Sequence, residues 1–126
     1  MLKNAKAFSS FSVADIPQAK DFYSKILGLE VGEEDGMLQL HTSDNAPILV
    51  YPKQNHTPAT FTVLNLFVDN IEQVVDELMG HGVTFEHYGG EMPTDTKGIA
   101  TIEGMSIKQA WFKDPSGNFF SLVQEI

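Results

Sequence analysis

The chain has 126 residues, 17 Asp and Glu against 8 Lys, no Arg and no Cys. That length suits one domain with a core of its own, and the missing cysteine excludes a disulfide framework or thiolate metal site, so any metal would rest on His, Asp or Glu. An acidic chain without the arginine fork is a poor match for phosphate backbones or anionic lipid, so neither nucleic acid nor a membrane is an expected partner. No apolar run approaches the ~18 residues of a membrane span, and the first ten residues lack a signal-like apolar core, which makes the cytoplasm the expected compartment.

In chain order, strand alternation over residues 8–13 puts Phe8, Ser10 and Ser12 on one face and Ser9, Phe11 and Val13 on the other. Asp15 is then a helix cap, with Gln18 three residues on to complete a capping box and Pro17 in the first turn. Ile16, Ala19, Phe22, Tyr23, Ile26 and Leu27 keep helical spacing up to Gly28, which ends the helix. Short apolar stretches divided by turn residues predict strands over 29–31, 37–41 and 48–51.

The series then repeats: residues 11–21 align on 66–76 at a constant offset of 55, matching Val13 with Val68, Ile16 with Ile71, Gln18 with Gln73 and Asp21 with Asp76. Asn70 and Gln73 form the second cap and box, Ile71, Val74, Val75 and Leu78 the apolar stripe, and Gly80 or Gly82 the stop. Strands are predicted over 84–88, 107–112 and 119–124, with Asp114-Pro-Ser-Gly-Asn118 as a hairpin turn. The irregular stretch 89–104 reads as a flap or as an ordinary surface loop. The expectation is one α+β domain, 1–126, made of two βαβββ modules at 1–57 and 58–126.

These features resemble the vicinal oxygen chelate superfamily, which includes glyoxalase I, extradiol dioxygenases, fosfomycin-resistance enzymes and bleomycin-resistance proteins. The resemblance covers nearly the whole chain and is carried by Val13-Ala-Asp-Ile, Phe22-Tyr23, Leu27-Gly28-Leu29 and Phe112-Lys-Asp-Pro-Ser-Gly-Asn-Phe-Phe120. It implies a curved mixed sheet, a half-barrel around a central cavity, with the helices outside. In metal-dependent members each copy gives one ligand from its first strand and one from its last. Carried over, these positions are Phe8, Val63 and Ser121, with the fourth on Val50 or Tyr51, and none is a carboxylate or imidazole. The implied Lewis acid has no ligands there, so no metal and no other cofactor is expected. His41, Glu86, His87 and Glu103 are the remaining groups for an improvised site, although adjacent Glu86 and His87 would point to opposite faces of a strand.

Alternation in the same register turns Phe8, Ser10, Val63, Asn65, Phe67, Gln109, Trp111, Ser121 and Val123 inward. The candidate ligand-binding set is Phe8, Ser10, Tyr51, Asn65, Phe67, Gln109, Trp111 and Ser121: aromatic walls to stack a planar ligand and neutral groups to orient it. No catalytic residue is assigned, since no serine lies in a nucleophile elbow and no His–Asp relay follows from spacing. The reading is a metal-independent small-molecule binding or sequestering protein of the glyoxalase or bleomycin-resistance type, its partner a small, planar aromatic ligand, acting as a homodimer. The alternatives are a divergent metal-dependent lyase, isomerase or dioxygenase with non-standard ligands, and a structural or partner-binding module whose pocket has collapsed into core. Against the collapsed core stands the number of inward polar groups, which a dry interior would need water or a ligand to satisfy.

Overall fold

Asp15 fixes the start of the first helix: held in extended conformation, it accepts from the Gln18 N–H at 2.8 Å, with Pro17 in the first turn, and so satisfies one of the donors a helix start leaves open. The computed structural model describes residues 1–126 and divides them into two units, Met1–Pro58 and Ala59–Ile126. In the first, strand β1 (Ser10–Val13) precedes helix α1 (Ile16–Asp21), which winds into a π-helical turn over Phe22–Ile26 before Gly28 reverses the chain at φ 70°. The Leu27 N–H closes that turn on the Phe22 carbonyl; apolar spacing alone does not distinguish it from continued α-helix.

Strands β2 (Glu30–Glu34), β3 (Met37–His41) and β4 (Ile48–Pro52) complete the unit. The order is β1-β4-β3-β2, with β1 parallel to β4 and the other pairs antiparallel. Phe11 and Val13 pack on the helix side, where the Phe11 ring meets Tyr23 edge-on at 6.3 Å, and Leu38, Leu40, Ile48 and Val50 are buried with them. Each such side chain contributes about 1.5–3 kcal/mol on burial. Alternation leaves Ser10, Ser12, Gln39, Leu49 and Tyr51 on the opposite, open face.

The second unit repeats this order as β5-β8-β7-β6, built from β5 (Thr62–Phe67), α2 (Ile71–Gly80), β6 (Ile99–Ile102), β7 (Ile107–Lys113) and β8 (Phe119–Glu125). Asn70 caps α2 through the Gln73 N–H at 3.1 Å, and the Gln124 side chain accepts the Ile71 N–H at 2.8 Å. The reciprocal arm of the expected capping box is absent, because the Gln73 amide donates along the helix to Glu77 instead. Ile71, Val75 and Leu78 bury against Ala110, Phe112, Phe120 and Leu122. The fold is α+β, with two four-stranded mixed sheets of the same topology and one α-helix for each.

Two expectations in this unit are corrected. Residues 84–88 are not a strand: only Phe85 bridges to β7, at Phe112. The pairing strand is β6, inside the stretch expected to be irregular. Both segments lie on the same edge of β7 at different places, Phe85 beside Phe112 and β6 beside Ile107–Ala110, and they meet at Gly98. At φ 85° it passes so close to the Glu86 carbonyl that a Cβ there would lie 2.9 Å from that oxygen, and this close approach delivers Ile99 onto Ala110.

Candidate functional site

An aromatic concavity of the second unit lies where β5 and β8 begin and β7 ends. Asp114 builds that corner: one carboxylate oxygen accepts the Ser116 and Asn118 N–H groups at 3.0 and 2.8 Å, and the other accepts the Asn118 side-chain amide at 3.1 Å. Asp114 and Asn118 are buried, and Gly117 takes φ 85°. Phe119 leaves this knot in a fixed direction, with the Lys113 ammonium 5.0 Å from its ring centre and 3.7 Å from a Glu86 carboxylate oxygen. A bulge between Thr62 and Leu64 re-aims the start of β5, so that Thr62 pairs with Phe119.

Over these strands sits a loop tied at its base. The Tyr88 N–H donates to Thr94 Oγ1 at 2.8 Å, and the Thr94 N–H returns to the Tyr88 carbonyl at 2.9 Å. Asp95 accepts the Lys97 and Ile99 N–H groups, both at 2.9 Å. The fastened loop sets Tyr88 edge-to-face on Trp111, with centroids 5.6 Å apart and planes at 76°. Phe61, Tyr88, Met92, Trp111 and Phe119, with Thr60, Thr62 and Gly89, line a cavity of about 260 Å³. Phe61 is 69% exposed. Burial first, and the charge of Glu86 second, hold the Tyr88 phenol above its ordinary value.

Beside the cavity, Asn65, Gln109 and Ser121 come together on the open face. Gln109 Nε2 donates to Ser121 Oγ at 3.1 Å and to Asn65 Oδ1 at 3.3 Å, and Ser121 Oγ donates to Asn65 Oδ1. The expectation that inward polar groups require water or a ligand is corrected by this network: the three satisfy one another, and no buried side-chain N or O in the chain lacks a partner. Ser12 is likewise hydrogen-bonded to His56 Nδ1 at 2.7 Å.

The eight candidate residues are thus distributed. Trp111 lines the second unit's cavity; Asn65, Gln109 and Ser121 form the network next to it. Phe8 lines a cavity of about 390 Å³ in the first unit, together with Lys6, Ala7, Gln39, Ala46, Pro47 and Leu49. Ser10, Tyr51 and Phe67 line neither, and Phe67 is 73% exposed. Thr60, Phe61, Gly89 and Met92 escaped strand alternation because they lie in connecting segments or beside the bulge, and Tyr88 because the strand expected over 84–88 does not form. The repeat offset carried a signal for one of them: Lys6-Ala7-Phe8 falls on Phe61-Thr62-Val63, and both cavities open at this place in their own unit.

The positions that would hold a divalent ion do not fit one. Phe8 and Val63 carry no donor, and the Ser121 hydroxyl is committed to Asn65. Register corrects the fourth position: Asn65 pairs with Ser121 as Ser10 pairs with Leu49, so the counterpart is Leu49, while Val50 pairs with Phe11 on the helix side. Nowhere do three His, Asp or Glu side chains gather as a metal would require; His41, Glu86, His87 and Glu103 form no common site.

The chain belongs to the Glyoxalase/Bleomycin resistance protein/Dioxygenase superfamily, whose profile matches residues 8–122. Among solved structures it is similar to TnmS3, an antibiotic binding protein from Streptomyces sp. CB03234, with 22% identity, a TM-score of 0.69, and 100% of this chain and 99% of that one covered. A member of the same superfamily from Sphaerobacter thermophilus DSM 20745 shares 21% identity at a TM-score of 0.69, covering 99% and 100%. The integron cassette protein HFX_CASS4, from the mobile metagenome of a Halifax Harbour sewage outfall, shares 19% at 0.72, covering 96% and 98%. At these identities the likeness is one of fold. A comparison with curated proteins found no match.

Proposed function

We propose that the chain binds a small planar organic molecule without a metal, seating one ring system in the second unit's cavity. The observation that carries this reading is the Tyr88–Trp111 edge-to-face pair at the wall of an open cavity whose other walls are Phe61, Met92 and Phe119. Aromatic and thioether walls offer stacking surface, and the hydroxyls of Thr60 and Thr62 at the rim offer orientation. At about 260 Å³ the cavity is somewhat smaller than the roughly 300–1,000 Å³ of sites that enclose a whole drug-sized molecule, so it grips part of a ligand. The superfamily contains resistance proteins, and one structural neighbour is an antibiotic binding protein, which supports sequestration as the mode of action.

Trp111 is the chain's one tryptophan, so its emission reports on the site. Titration with acridine is expected to quench that emission to saturation, and an unchanged spectrum at millimolar probe would contradict the reading. The metal-free part has its own test: elemental analysis of protein purified without chelators is expected to find no stoichiometric zinc, nickel, iron or manganese, and about one tightly held ion per chain would overturn it. The same reading takes the chain to be a cytoplasmic C2 homodimer; no helix in the structure is long and apolar enough to cross a membrane. Sedimentation showing a monomer at tens of micromolar would contradict the dimer.

A further inference from the structure

The cavity of the first unit occupies the same place in the repeat as the aromatic one, with different chemistry. By strand register Gln39 stands where Trp111 stands, Leu49 where Ser121 stands and Pro47 where Phe119 stands. One ring, Phe8, remains among walls that are otherwise mostly aliphatic, and the charged residue at this cavity is Lys6.

Local structure holds the cavity open. The Leu49 N–H donates to the Ser9 carbonyl at 3.0 Å, which ties the segment carrying Lys6, Ala7 and Phe8 to the edge of β4. Across from it, the turn before Ala46 is closed by the Asn45 N–H on the Thr42 carbonyl at 3.1 Å, with Ser43 at φ 44°. Phe8 remains 67% exposed, an apolar surface that an occupant would cover. Of the lining residues, Gln39 reaches toward the neighbouring strand, its Oε1 3.5 Å from where a Cβ on Gly32 would be. The volume, about 390 Å³, lies within the range of small-molecule sites.

We propose that this cavity is a second small-molecule site, for an organic anion with a compact aliphatic body. The body fills the space among Phe8, Ala46, Pro47 and Leu49, the Lys6 ammonium pairs with the carboxylate, and the Gln39 amide completes its hydrogen bonding. A lysine at the mouth of an aliphatic hollow favours an anion even on a chain with net charge −9, because the pairing is local while the remaining charge is screened over about 10 Å at ordinary ionic strength. The two cavities differ in lining and in charge, which separates the ligands proposed for them. The site shares no lining residue with the aromatic cavity and does not depend on the function proposed for it.

The test uses the full chain and three probes of one shape: adamantane-1-carboxylate, 1-adamantanemethanol and 1-adamantylamine. Saturation-transfer NMR and calorimetric titration are expected to show the carboxylate binding at least fivefold tighter than the alcohol, with the amine weakest. Lys6→Gln, at an exposed residue ahead of β1, is expected to erase the carboxylate's advantage and leave the alcohol unchanged. Ala46→Trp is expected to fill the cavity and remove both, while Trp111→Ala leaves both intact. Equal binding of carboxylate and alcohol, or no binding of either, would overturn the proposal. So would binding that survives Ala46→Trp or is lost with Trp111→Ala.

Discussion

Asp114 shows what a single side chain does in this fold. Its buried carboxylate takes hydrogen bonds from two backbone N–H groups and one side-chain amide, and thereby sets the direction in which Phe119 leaves the turn. Asp114→Ala strands all three donors, and a loss of about 2–4 kcal/mol is expected in chemical denaturation. Asp114→Asn, which keeps an acceptor, is expected to lose less; a fully stable alanine variant would contradict this account of the corner. Tyr88 offers a second test. Its phenol is held above the ordinary value by burial first and by Glu86 second. The folded state therefore keeps its proton where the unfolded chain releases it, and the related stability is complete below the unfolded value of about 10 and lost as pH rises through the folded one. Difference titration against Tyr88→Phe at the tyrosinate absorbance is expected to place Tyr88 above a free tyrosine. Glu86→Gln is expected to lower it only part of the way, and a full return to the ordinary value would show that the charge, not burial, dominates.

Among the elements, those whose cause is local were legible in the residues and those settled by distant pairing were not. The caps at Asp15 and Asn70, the stop at Gly28 and the Asp114 turn all follow from side chains acting within a few positions. The extent of pairing on the edge of β7, a single bridge at Phe85 and a full strand over Ile99–Ile102, did not, since both segments carry apolar residues and the close approach of Gly98 to the Glu86 carbonyl joins distant positions. Likewise the polar candidates Asn65, Gln109 and Ser121 were found by alternation, but their mutual hydrogen bonding emerges only from register. Gly98→Ala puts a Cβ 2.9 Å from the Glu86 oxygen and 3.0 Å from the Phe85 Cβ at a positive φ. It is expected to cost roughly 2 kcal/mol or more and to loosen β6, with faster amide exchange at Ile99 and Thr101. Unchanged stability would show that the close approach is not what seats β6.

At the scale of the whole molecule, one topology occurs twice and the repeats differ in what their equivalent cavities present: several aromatic rings in the second, mostly aliphatic walls with one ring and a lysine in the first. The positions at which metal-dependent relatives carry ligands hold Phe8, Leu49, Val63 and Ser121 here, and the function proposed above rests on recognition by shape, stacking and hydrogen bonds. Trp111 is where this account is most exposed. It is half-buried, walls a cavity and pairs with Tyr88, so its truncation removes binding surface more than core. The decisive measurement is calorimetric titration of acridine into the native chain and Trp111→Ala, with thermal melts of both. The account predicts saturable binding by the native chain, a loss of affinity of about tenfold or more in the variant, and a stability cost below about 2 kcal/mol. A variant destabilised by about 3–5 kcal/mol, as when a core aromatic is truncated, together with a native chain that binds no acridine, would contradict it.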